Sequence, residues 1–215
     1  MDKDRFCKLW DRCSGANGGG AESVFTELDE HYRQPHRYYH SGNHIDHCLS
    51  KMDMAMAEPG ASGNPNLLDG IELAIWFHDV IYEPGAADNE QRSADWFAQR
   101  ATGVLPPNII SRIEGYIMST THHEPPIDEG SKFVVDVDLS GFGLPPALFR
   151  RDGDNIRKEF DYMSETEFIC GQTKFLKKLL GRSSIYSTSY FYDRYETRAR
   201  QNINETIKRY AEWDC

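Results

Sequence analysis

Long apolar runs are missing from this chain, no Cys-x-x-Cys pair occurs, and basic residues are outnumbered by acidic ones. Each absence excludes something. No stretch approaches the roughly 20 residues that a membrane-crossing helix needs, and the opening "MDKDRFCKLW" lacks the charged-then-apolar pattern of a secretory signal. We therefore expect a cytoplasmic protein with no membrane partner. With 24 Lys and Arg against 34 Asp and Glu, and a net charge of -10, the chain lacks the cations that a nucleic-acid polymer demands. Cys7, Cys13, Cys48, Cys170 and Cys215 are odd in number and scattered, so reduced structural thiols are expected. The glycine-rich "SGANGGG", residues 14–20, is not followed by the Lys-Ser/Thr of a phosphate-binding P-loop and reads as a connector.

What is present suits a folded protein. The 215 residues are 39% hydrophobic and 12% aromatic, enough for one core, so residues 1–215 are expected to form a single domain. Residues 1–20 would supply an N-terminal helix and the connector.

Helical spacing dominates. "AESVFTELDEHYRQ" places Val24, Phe25 and Leu28 on one face and ends before Pro35. "SGNHIDHCLSKMDMAMA" does the same with Ile45, Cys48, Leu49, Met52 and Met56, with Ser41 placed to accept an N-cap hydrogen bond. "NPNLLDGIELAIWFHDVIY" is apolar on nearly every side from Ile71 to Tyr82, as in a helix buried mid-domain. "DNEQRSADWFAQRA", "PPNIISRIEGYIMST" and three later segments read as further helices, making the chain all-α. One segment dissents: "SKFVVDVDLSGF" has the β-branched, alternating pattern of a strand.

The chemistry gathers in two places. "RYYHSGNHIDH", residues 37–47, holds three histidines, and "HD" at His78 and Asp79 falls in the most apolar part of the chain. An ionised carboxylate there needs a partner. A divalent cation would supply it and would also use the neighbouring imidazole. An HD pair alone reads more simply as a buried Asp bonded to Arg or backbone, with a satisfied core histidine. His40 and His44, four apart, shift the balance toward metal. Ser41 and Gly42 are poor helix-interior residues and no Glu follows His40, which disfavours a zinc-protease helix. The expected division is His44 on metal and His40 moving protons, with His47 either supporting the site or, the simpler reading, facing solvent.

The order Tyr39-His40-x-x-x-His44, then His78-Asp79, then a distant Asp-Leu resembles the HD-domain superfamily of metal-dependent phosphohydrolases, which includes the cyclic-nucleotide phosphodiesterases. "YRQPHRYYHSGNHIDH", "AIWFHDVIYEPGAADNEQRSA", "VVDVDLSGFG", "GRSSIY" and "ETRARQNI" are similar to a group of small bacterial HD proteins, across residues of about 30 to 205. The resemblance implies an HD-like helical bundle and a divalent cation (Mn, Mg, Co, Ni, Fe or Zn) held by His44, His78, Asp79 and Asp138. It implies that "SKFVVDVDLSGF" is helical, so Asp136 and Asp138 point about 200° apart and only Asp138 faces the ion. Asp136 would be structural or supporting.

It also implies roles for Glu90 in positioning the attacking water and for His122 and His123 in holding a second metal or moving protons. For those two, an exposed polar helix end is an equal alternative. Arg37 is suited to a bidentate phosphate contact, with a surface salt bridge as the simpler reading. Arg200 and Glu196 have the spacing of a structural ion pair. The expected activity is metal-assisted hydrolysis of a phosphate ester, a nucleotide or small phosphomonoester, with His40 protonating the leaving oxygen and Asp79 orienting water. Its alternatives are a di-iron oxygenase on the same fold and a non-catalytic nucleotide sensor.

Overall fold

The computed structural model describes residues 1–15, 18–58 and 65–213. Cys215 and the middle of the 14–20 connector lie outside them. Among the described residues there are ten α-helices and no strand. In chain order they are α1 (Lys3–Ser14), α2 (Ala21–Tyr32), α3 (Gly42–Met56), α4 (Pro65–Phe77), α5 (Asn89–Ala101), α6 (Pro107–Ser119), α7 (Glu129–Asp138), α8 (Pro146–Glu159), α9 (Glu165–Leu180) and α10 (Ser189–Arg209). A 3-10 helix, Leu139–Gly143, continues α7. None of these helices is long and apolar enough to cross a membrane.

The fold is organised around α4. Ile71, Leu73, Ala74, Ile75, Trp76 and Phe77 are all buried, so this helix has no solvent face over its second half. It touches α1, α3, α5, α6 and α7. Phe6 of α1 meets Phe25, Trp76 and Phe77 with ring centroids 5.4 to 5.9 Å apart, which ties the N-terminal helix into the same core. Aromatic pairs at such spacing add about 0.5–1.5 kcal/mol each beyond the area they bury. Helix starts are secured where the sequence offers a cap: Asp2 accepts from the Arg5 amide, Asp128 from the Ser131 amide, and Ser164 with Glu167 forms a capping box. Ser41 occupies the N-cap position of α3, but its side chain makes no capping bond there.

One expectation about the site-bearing elements needs correction, and one, the helix that the resemblance implied for the strand-like segment, is met. The apolar run through Tyr82 is not helical throughout: α4 stops at Phe77, and His78 and Asp79 sit on the turn that follows. The last helical bond runs from the His78 amide to the Ala74 carbonyl, and the freed carbonyls of Asp79 and Val80 are taken by the Arg37 guanidinium at 2.6 and 2.9 Å. The strand-like segment is α7, where Val134, Val135 and Val137 are buried. β-Branching costs a buried helix only tenths of a kcal/mol per residue, which packing overrides. The 3-10 helix then passes so close to α10 that a Cβ on Gly143 would lie 2.5 Å from the Tyr195 Cβ.

One thiol also departs from expectation. Cys7, Cys13 and Cys48 are free, whereas Cys170 is disulfide-bonded.

Candidate metal centre

Three backbone elements end at one point. His44 comes from the first turn of α3, His78 and Asp79 from the turn after α4, and Asp138 from the last residue of α7. Their donor atoms converge. His44 Nε2 lies 3.2 Å from His78 Nε2, 3.1 Å from Asp138 Oδ1 and 3.6 Å from Asp79 Oδ2. His78 Nε2 lies 3.1 Å from Asp79 Oδ2 and 3.6 Å from Asp138 Oδ1. Donors bonded at about 2.0–2.2 Å to one ion have edges of roughly 3.0–3.5 Å, so the spacing suits a shared cation.

Hydrogen-bond chemistry makes the same point. The His78 Nδ1 is 2.9 Å from the Ile75 carbonyl, which can only accept, so Nδ1 carries the proton. In the neutral ring Nε2 is then a bare lone pair, aimed at two carboxylates and a second imidazole nitrogen. Burial opposes charge on His78, but Asp79 and Asp138 outweigh it and pull its pKa well above the ordinary histidine value. Burial would raise both carboxyls, yet the surrounding imidazoles hold Asp79 and Asp138 well below theirs. The space between these atoms selects positive charge, and an N/O donor set of this kind fits a divalent transition ion.

Cys48 belongs to the same neighbourhood. It is fully buried one turn after His44, and its Sγ is 3.7 Å from His44 Nε2. Two overlapping donor groups result, His44 with His78 and Asp79, and His44 with Cys48 and Asp138, each with ligand atoms within 4.8 Å of one another.

His40 lies beside the cluster, its ring centroid 6.1 Å from that of His44 and stacked on Tyr82 at 4.1 Å. Its partner is Glu159, at the end of α8, whose side chain is wholly buried. Glu159 Oε1 accepts from the amides of Tyr38, Tyr39 and His40, at 2.6 to 2.9 Å, while Oε2 receives His40 Nδ1 at 2.6 Å and the Tyr82 hydroxyl at 2.9 Å. The carboxylate thus fixes the loop that bears His40 and also the ring itself, through Nδ1. Burial disfavours a charged His40, but the Glu159 bond and the nearby Asp79 prevail, and its pKa is raised. Burial acts oppositely on Glu159, and the His40 bond lowers its pKa.

Arg37 does not point toward a phosphate. It is buried, and its guanidinium donates to Gln34 Oε1 and to the carbonyls of His40, Asp79 and Val80. Its work is structural: one side chain ties the His40 loop to the backbone that presents Asp79. His122 joins the cluster through Asp138 Oδ2 at 2.9 Å, whereas the neighbouring His123 is exposed. His122 adopts φ of 54°, the left-handed region, and its buried Nδ1 has no partner. Glu90, half-buried in the first turn of α5, makes no hydrogen bond to any cluster residue. His47 is half-buried with Nε2 3.0 Å from the Ser140 hydroxyl, not solvent-facing, and burial with His44 nearby depresses its pKa to about 4. Asp136 is fully buried and bonded away from the cluster, accepting from the Ser187 and Thr188 amides and the Thr188 hydroxyl.

A cleft of about 310 Å³ lies beside the cluster and reaches His44 alone of the four candidate ligands; Tyr39, His47, Arg151 and Asp152 are among its other lining residues. Arg151, not Arg37, is the cation at its wall. Glu159, Cys48 and Arg151 carried no motif. The available signals were weak: an acid closing a helix whose end favours cations, and a cysteine at i+4 from a ligand histidine. Compared with protein-family models, with curated proteins and with solved structures, the chain matches none of them.

Proposed function

We propose that the protein is a metal-dependent hydrolase of a phosphate ester, a nucleotide or small phosphomonoester, with His44, His78, Asp79 and Asp138 holding the ion. A bound divalent cation would supply water of lowered pKa and a charge to polarise the phosphoryl oxygen. His40 carries the reading. A histidine oriented by a buried carboxylate, with its free nitrogen beside a cation-selecting cluster, is equipped to donate a proton to a leaving alkoxide. Burial opposes a proton on His40, but the Glu159 bond and the nearby Asp79 outweigh it and raise its pKa. Glu159 sets ring and loop, Arg37 fixes the distance from that loop to Asp79, and Arg151 offers a guanidinium to a phosphoryl oxygen in the cleft.

The test is phosphate release from aryl phosphomonoesters, phosphodiesters and nucleotides with Mg, Mn, Fe, Co, Ni or Zn. His40→Ala should keep its metal and lose about 10²–10⁴-fold in kcat. Absence of release with every metal and ester would overturn the hydrolase and leave a nucleotide-binding sensor as the reading to pursue.

A second chemistry has one observation in its favour. A two-iron oxygenase needs more donors, and His122, on Asp138 with its other nitrogen unpartnered, is the residue that could add one. Two irons per chain, falling to one in His122→Ala, would replace hydrolysis with oxidation.

A further inference from the structure

The cleft that reaches His44 has a neighbour. A second hollow, of about 270 Å³, lies between α8, α9, α10 and the 3-10 helix, and Phe142, Phe149, Phe168, Ile169 and Leu176 give it apolar walls. The two spaces share Tyr39 and Asp152. Tyr39 stands at the junction: its ring centroid is 4.9 Å from that of His44, and its hydroxyl faces Gly141 of the second hollow, where a Cβ would lie 3.2 Å from it. Close-packed interiors leave few voids of this size, and an apolar one of about 150 Å³ already accepts benzene.

Three features define what fits. Gly153 lines the hollow from within α8, where glycine is the poorest helix former after proline, and a Cβ there would meet nothing within 4 Å. The missing side chain keeps the space open. Charge is balanced, Arg150, Arg157 and Arg209 being matched by Asp152, Asp154 and Glu165, so the hollow favours no ionic group. Gln172 adds an amide whose side chain bonds to no described residue, one of the few polar groups that can orient a ring by its edge.

We propose that this hollow is the specificity pocket of the enzyme, taking an uncharged aromatic ring system on the alcohol side of the phosphate ester. The chain of the ester would pass Tyr39 and Asp152 to bring its phosphate to the cleft beside His44. The inference rests on the hydrolase reading above and narrows its substrates to esters whose alcohol bears a ring on a short spacer.

Naphthylethanol, a neutral ring on a short chain, probes the pocket without phosphate or metal. Calorimetric titration into the metal-free protein should find a single site. Gly153→Trp plugs the hollow from a position with room for a side chain, and it should weaken that site about 10- to 100-fold, with circular dichroism unchanged. Gly153→Ala, which adds one methyl, should stay near the parent value. With metal present, kcat/KM for naphthylethyl phosphate should exceed that for ethyl phosphate by about 10- to 100-fold, and the ratio should fall to about one in Gly153→Trp. No binding of naphthylethanol, equal binding in Gly153→Trp, or equal kcat/KM for the two esters overturns the ring pocket and leaves the hydrolase standing. Failure to hydrolyse either ester while naphthylethanol binds overturns the hydrolase, and with it the place of the ring on an ester.

Discussion

Asp136 and Asp138 are two residues apart in α7, both are removed from bulk solvent, and they live in opposite chemical worlds. Asp136 is surrounded by donors: the Ser187 and Thr188 amides and the Thr188 hydroxyl, at the point where α10 begins. Glu159 and Glu196 follow the same plan, Glu196 receiving the Ile185 and Tyr186 amides and the Arg200 guanidinium. These carboxylates replace lost water with N–H and O–H donors, although burial still pushes the Asp136 pKa up to about 6. Asp138, with Asp79, instead faces imidazole nitrogens, and His78 has already spent its only neutral-ring proton on Ile75. A buried carboxylate among lone pairs is a demand for a cation. The contrast separates carboxylates that hold the fold from those placed where an ion could be held.

The sharpest way to break this contrast is to remove a donor from each class. His78→Ala should abolish stoichiometric metal binding and, with it, esterase activity to background, while circular dichroism and the apo melting temperature hold. Isothermal titration with Mn and Zn reads the binding. Retention of one tight ion in His78→Ala would mean that the lone-pair cluster is not the site.

Glu159→Gln comes next, because it keeps size while removing the charge that orients His40. Metal affinity should be unchanged and kcat should fall by about 10²-fold, within the range a positioned proton donor contributes. The pH profile carries the sign. Glu159 raises the His40 pKa, so the variant's basic limb in kcat/KM should move to lower pH, toward the ordinary histidine value of about 6.5. An equal loss of kcat with no shift of that limb would reduce Glu159 to a loop anchor.

Asp136→Ala should reverse the pattern of His78→Ala. It leaves two amides and a hydroxyl without their acceptor, and buried unsatisfied groups cost about 1–3 kcal/mol each. A loss of about 3 kcal/mol in urea denaturation is expected, with metal affinity intact. If Asp136→Ala instead weakened the metal, the division between the two aspartates would be false.

How much of this was legible beforehand follows the range of each interaction. The apolar face of α3 and the four-residue step from His40 to His44 are local, and the sequence displays them. The end of α4 is not local: "AIWFHDVIY" stays apolar past Phe77, and the stop is imposed by Arg37, 42 residues earlier, capturing the Asp79 carbonyl. Pairing of Glu159 with His40 spans 119 residues and leaves no periodic trace. Local pattern even misled in "SKFVVDVDLSGF", where alternation suggested a strand, because valines buried on a fully covered helix look the same as valines on a sheet. The Asp136–Asp138 spacing, ambiguous from local pattern, was read as helical through the resemblance, and α7 is a helix.

The mildest effect belongs to the metal-free protein. Without an ion, the positive charge between Asp79 and Asp138 is the proton on His78, whose folded pKa is raised above its unfolded value. A base shifted in that direction stabilises fully below about pH 6.5, and the contribution is lost as pH rises through the folded pKa. The apo protein should therefore grow less stable from neutral to alkaline pH. A saturating ion takes over the role of that proton, adds its own binding energy, and should flatten the slope. His40 contributes a slope of the same sign through Glu159, and that part should persist with metal bound and vanish only in Glu159→Gln. Melting temperatures across pH, with and without zinc, separate the two histidines. If metal left the slope untouched, the charge demanded by Asp79 and Asp138 would have to be met by something other than the space between His44 and His78.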